Sequence, residues 1–172
     1  MNEYRITVGG IEEGIHSFTF EIKDSFFKAF SQSEVKHADI ISTVLLERKN
    51  NKLTLSIELN GRINHLLCDI CAEDLSVEIS SITRMMIKET SGNLESTDEI
   101  IYINSNDNEL SIEHLLYELI TLSLPKRRQH PTNEDGTTNC NEEMISLIDK
   151  YNNIEKKSSD TRWDALKDLK IK

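Results

Sequence analysis

The chain has 172 residues, 20 Lys and Arg against 30 Asp and Glu, a formal net charge of -10 and 37% hydrophobic residues. That length suits one domain able to bury a core without disulfides, and the acidic balance excludes a general nucleic-acid coat, which needs surplus cations. No apolar run approaches the ~20 residues of a membrane span, and the opening MNEYRITVGG lacks the apolar core of a signal peptide, so a cytoplasmic protein with no membrane partner is expected.

The first ninety residues read mainly as strand. From His16 to Ile22, Phe18, Phe20 and Ile22 alternate onto one face. Asp24 is a candidate cap for a short helix through Phe30, with Phe26, Phe27 and Phe30 as its apolar side. Ala38 to Arg48 is β-branched and aliphatic, and Asn50-Asn51 signals a turn. Lys52 to Asn60 then alternates, with Leu53, Leu55, Ile57 and Leu59 on one side. Gly61 marks a bulge or tight bend, and the strand continues through Leu67 into Cys68-Asp69-Ile70-Cys71. Leu75, Val77 and Ile79 begin a return strand to about Glu89. The simplest picture is an antiparallel meander with Cys-x-x-Cys at a hairpin tip.

The middle changes character. Positions 89 to 125 carry eight acids, Glu89, Glu95, Asp98, Glu99, Asp107, Glu109, Glu113 and Glu118, and no Lys or Arg. Glu99 to Ile103 reads as a short strand. Ser111 opens the clearest helix, with Ile112, Leu115, Leu116, Leu119, Ile120 and Leu122 as its apolar face and Pro125 as its stop. Gln129 to Asn141 is a polar loop, and Glu142 to Tyr151 a short helix. A polar linker from Asn152 leads to a tail helix containing Trp163, the single tryptophan. The predicted fold is α+β: a curved antiparallel sheet, barrel-like in its most closed form, with helices mainly in the C-terminal half. Residues 1–151 are expected to form the domain and 152–172 the linker and tail.

Cys68 and Cys71 are spaced to hold one ion on a tight turn, and a structural zinc needs two further Cys or His ligands. His130 and Cys140, in the second polar loop, complete a chemically sound set; His65 and His114 sit inside apparent secondary structure. The alternative is a pair of free thiols packed in the turn. A redox pair would need the first cysteine at a helix N-terminus, whereas this pair sits between strands. Lys126-Arg127-Arg128 is the notable basic cluster, with Arg84 and Lys88 as possible neighbours. It offers a phosphate or partner contact, or simply complements a helix C-terminus. Trp163 and Leu166 at helical spacing suggest a tail docking contact or a partner-binding helix. No Gly-rich phosphate loop, nucleophile triad or metal-hydrolase motif is present, and the five histidines show no acid–base pairing.

The order of these features resembles one family. An alternating strand enters Cys68-Asp69-Ile70-Cys71. An acidic middle leads to Glu118-Leu119-Ile120-Thr121-Leu122-Ser123-Leu124-Pro125. A loop with His130-Pro131 and Cys140 follows, and then Asp160-Thr161-Arg162-Trp163-Asp164-Ala165-Leu166-Lys167. This is similar to the bacterial YceD family, the large-ribosomal-RNA-subunit accumulation proteins, over roughly residues 40 to 168. Many members carry two cysteines in the late loop, where this chain carries Cys140 and His130. The resemblance implies a non-enzymatic role in making or accumulating 23S rRNA, with a large-subunit precursor or ribosomal protein as partner and limited direct RNA contact. Two other classes are weighed against it: a zinc-stapled protein-interaction module unrelated to ribosomes, and an rRNA nuclease.

Overall fold

The computed structural model describes residues 4–92, 94–134 and 136–152. Its centre is a five-stranded sheet in the order β2-β3-β4-β5-β6. The strands are β2 (Gly14–Ile22), β3 (His37–Lys49), β4 (Lys52–Leu67), β5 (Asp74–Thr90) and β6 (Ile100–Asn104). A separate two-stranded ribbon pairs β1 (Arg5–Thr7) with β7 (Glu109–Ser111). Among the described residues the helices are α1 (Asp24–Phe27), α2 (Glu113–Leu122) and α3 (Glu142–Asn152).

The alternations in the sequence place the core. On β4, Leu55, Ile57, Leu59 and Ile63 turn inward, facing Ile40, Val44 and Leu46 of β3 and Ile22 of β2. Burying such side chains contributes about 1.5–3 kcal/mol each. Leu116, Leu119 and Ile120 of α2, with Ile112 just before it, cover this face, and Ile6 and Val8 close one side. Phe30 stacks on Tyr117 at a centroid distance of 4.0 Å, and Phe26 and Phe27 are buried beside it.

The structure departs from the expected meander at several points. Strand β6 runs parallel to β5, so the sheet is mixed. Among the described residues it is open rather than barrel-like, with β2 and β6 at its edges. Gly61 is not a bulge; it pairs in register with Ile40. A Cβ there would lie 2.3 Å from the Asp39 carbonyl oxygen and 2.6 Å from Ile40 Cα, so glycine is needed for close strand approach. The bulge falls at Asn64-His65, between the pairs Ile63–Val77 and Leu66–Leu75. His65 takes a left-handed φ of 56°. One inserted residue lets Ile63 and Leu66 share the buried face despite their odd spacing.

Two expected caps are also replaced. Asp24 makes no cap; its carboxylate accepts from the Ala38 N–H at 3.1 Å and pairs with His37 Nδ1 at 2.9 Å. Ser111 ends β7, and Ile112 occupies the cap position of α2 while donating its N–H to the Tyr4 carbonyl. Leu122, expected on the apolar face of α2, is 80% exposed. Asn152, expected to open the linker, is instead the last residue of α3; the rest of the linker, the tail helix and Trp163 lie outside the described residues.

Candidate metal centre

The β4–β5 hairpin carries Cys68 and Cys71 at its tip, as the spacing predicts. Its local geometry comes from backbone bonds: Cys68 donates to the Glu73 carbonyl at 2.9 Å, and Ala72 donates to the Cys68 carbonyl at 2.9 Å. Ala72 adopts φ 56°, the left-handed conformation this turn requires. The Ile70 N–H approaches Cys68 Sγ at 3.5 Å.

The segment from Lys126 to Pro131 is brought to this tip by a clamp that the sequence does not announce. Asp69, between the two cysteines, accepts the Arg128 N–H at 2.6 Å, and its own N–H donates to the Arg128 carbonyl at 2.7 Å. The Arg128 guanidinium pairs with Glu34 and approaches Asp69 Oδ1 at 3.8 Å. The Glu34 carboxylate holds the guanidinium above its ordinary pKa. Arg128 is therefore a positioning residue. Lys126 and Arg127 are exposed. The triplet's basic neighbour is Arg62, which shares with Arg127 and Arg128 a cleft of about 510 Å³. Arg84 and Lys88 lie further along β5 instead, where Arg84 donates to Ser56.

Two residues beyond Arg128, His130 meets the cysteines. One ligand atom from each of Cys68, Cys71, His130 and Cys140 lies within 4.8 Å of every other. Cys68 Sγ and Cys140 Sγ are 3.8 Å apart; His130 Nδ1 is 3.5 Å from Cys71 Sγ and 3.6 Å from Cys140 Sγ. All three cysteines are buried and none is in a disulfide. Leu75 joins them in a second core, with Ile70, Val77 and Ile145 packed against it. His65 and His114 stay outside the cluster, paired with Asp74 and Glu118.

The donor set fits a tetrahedral zinc. Bonds of about 2.3 Å to sulfur and about 2.05 Å to nitrogen separate two sulfurs by about 3.8 Å, and sulfur from nitrogen by about 3.6 Å. The proton on His130 also fits. Its Nε2 meets the Asp74 carbonyl oxygen at 3.1 Å, and a carbonyl can only accept, so Nε2 carries hydrogen. In the neutral ring Nδ1 then turns a lone pair toward the thiols, the arrangement of a metal-ligating histidine held by an outer partner. That same bond is the main cause raising the His130 pKa. Burial pushes the Cys68 thiol up, but N–H groups of Cys71, Ile70 and His130 outweigh it and bring it to about 6. Cys140 is raised by burial.

Downstream, Asn141 links the cluster to α3. Its side-chain oxygen accepts the N–H groups of Glu143 and Met144 at 2.9 and 3.2 Å, and its amide donates to Glu73 at 2.8 Å. The cap carries a local signal, an Asn directly before a helix, that was not read from the sequence. The roles of Asp69, Asp74 and Glu34 carry no such signal, because their partners Arg128 and His130 lie dozens of residues away.

A mixed-sheet α+β protein with a buried Cys₃His cluster stapling a late loop to a hairpin tip is the class these features define. The family described as large ribosomal RNA subunit accumulation protein YceD matches residues 55–170, and the chain belongs to that family. The matched span contains all four cluster residues. No curated protein and no solved structure matches the chain.

Proposed function

We propose that this protein is a non-enzymatic factor supporting the production or accumulation of 23S rRNA and the large ribosomal subunit. The observation that carries the reading is the family match over residues 55–170, whose description names accumulation of an RNA and no reaction. The site chemistry supports it. Burial and four mutually close donors suit a closed structural centre, with no position left for a substrate. Cys68, Cys71, His130 and Cys140 would hold zinc, which would supply cross-linking of the late loop and α3 to the sheet. The protein acts in the cytoplasm, in contact with a large-subunit precursor or one of its basic proteins. Its acidic segment 89–125 suits the latter by charge.

Sucrose-gradient profiles and 23S rRNA levels in a deletion strain test the function. A deficit of 50S particles is expected; normal particles and normal 23S rRNA would sink the reading. Elemental analysis of untagged protein tests the centre, with about one zinc per chain expected and loss of it in Cys68→Ser. Zinc-loaded protein with no effect on ribosomes would favour an interaction module unrelated to them.

A further inference from the structure

The Asn50-Asn51 turn, with both residues at positive φ, closes the β3–β4 hairpin and sets Lys49 opposite Lys52. The register that pairs Leu53 with Ile87 brings Lys88 beside Lys52 one step further on. The parallel pairing of β5 with β6 then sets Tyr102 beside Lys88. A single row across four strands therefore reads Lys49, Lys52, Lys88, Tyr102, on the face opposite the core. Strands about 4.8 Å apart hold the three lysines within about 10 Å.

Like charges placed opposite one another on a sheet repel, and here two such pairs adjoin. Every ion pair among the described residues involves other side chains, so none of the three lysines is directly paired; the acidic neighbour on this face is Glu47, two positions from Lys49 along β3. At the same end of the sheet opens a cleft of about 710 Å³ whose lining includes Lys52, Lys88 and Met86; Arg48 reaches it from the core side of β3, where its guanidinium donates to the Ile11 carbonyl at 2.9 Å. Its one lining carboxylate belongs to Glu89. Arg84 lies on the same face of β5, two rows along. Within a chain of net charge -10, this concentrates positive charge at one place, far from the basic triplet near the cysteines.

We infer that the Lys49–Lys52–Lys88 row, with Tyr102, is a binding site for the phosphate backbone of single-stranded RNA. The row gives successive phosphates ammonium groups at strand spacing. Tyr102 and the exposed Met86 offer faces against which an unpaired base can stack, a contact that a duplex or an acidic peptide does not use. The inference deepens the reading of the protein as a factor for large-subunit RNA, and rests on it.

Fluorescence anisotropy with the full chain and a labelled twelve-nucleotide mixed-sequence RNA tests the site. Three phosphate contacts on a single strand predict that affinity falls about 20-fold between 50 and 200 mM salt. The triple variant Lys49→Glu/Lys52→Glu/Lys88→Glu is expected to bind at least about tenfold more weakly, with an unchanged circular dichroism spectrum. Tyr102→Ala is expected to lose at least about fivefold, and Lys126→Glu/Arg127→Glu to bind as wild type. Unchanged affinity in the triple variant overturns the inference. So does equal affinity for a polyglutamate peptide of the same length, which would assign the row to an acidic protein. Because binding is read in vitro, a deletion strain with normal 23S rRNA would remove the cellular reading while leaving this result separately visible.

Discussion

Asp24 shows how one residue can be read correctly as polar and wrongly in role. Its partners, His37 and the Ala38 N–H, stand 13 and 14 positions away, beyond any capping pattern. The hydrogen bond from His37, then that from Ala38, holds its carboxyl below the usual value. A depressed carboxylate pKa contributes stability that is full above the unfolded value of about 3.9 and is lost as pH falls through the folded value. Asp24→Asn is therefore expected to melt below wild type at neutral pH, with the gap closing as pH drops below about 4; thermal denaturation across that range reads it. Ser42 is the opposite case. It sits on the inner face of β3 at 0% exposure, and its hydroxyl has no partner among the described residues. Ser42→Ala is expected to raise stability by about 1 kcal/mol in urea denaturation, and a lower midpoint would show that the hydroxyl is satisfied. Ala72 takes a left-handed φ of 56°, a conformation that glycine adopts without steric cost, here built on alanine.

Among elements, the long strands were the most legible. Thirteen to seventeen residues of alternation in β3, β4 and β5 leave little ambiguity, and Asn50-Asn51 between β3 and β4 fixes a hairpin. What alternation cannot carry is direction, and so the parallel pairing of β6 went unread. Close backbone approach also leaves no periodic trace, which is why Gly61 looked like a bulge. Gly61→Ala is expected to destabilise by about 2–3 kcal/mol, since both clashing groups are backbone; an unshifted melting temperature would mean that β3 can move away. The late helix was legible in its pattern but not in its attachment. None of its residues is buried, and Ile145 is its contact with the cysteine core. Chelation is expected to speed amide exchange in 142–152 and at the 68–73 tip, while the central parts of β3 and β4 stay protected. Uniform exchange changes would contradict a local staple.

At the scale of the whole molecule, the four cluster residues were legible because cysteine and histidine are few. The lysine row was not, because Lys49, Lys52 and Lys88 are joined only by register. The two features occupy opposite ends of one hairpin, separated by the 16 residues of β4, a strand path of about 50 Å. That separation predicts independence. Cys68→Ser should leave RNA affinity within about twofold of wild type, since sites so far apart with no shared partner are additive; a larger loss would reveal coupling through the sheet. Net charge alone misdescribes such a molecule, because its acids dominate the middle of the chain while its cations gather at particular ends.

The ribbon of β1 and β7 has a consequence for how the chain is made. Arg5 pairs with Ser111, and Thr7 with Glu109, so β1 has no strand partner until more than a hundred further residues have been synthesised. The β2–β5 meander needs only its own neighbours and can assemble as it emerges. At a synthesis rate of about 5–20 residues per second, β1 waits about 5–20 s for its strand partner. During that interval the inner face of the new sheet also lacks α2, and it is most open to chaperones. Completion of the ribbon and the docking of α2 then follow together, because the Tyr4 carbonyl accepts the N–H of Ile112 at the very start of that helix. Strand β1 is thus completed only when β7, far along the chain, has been made.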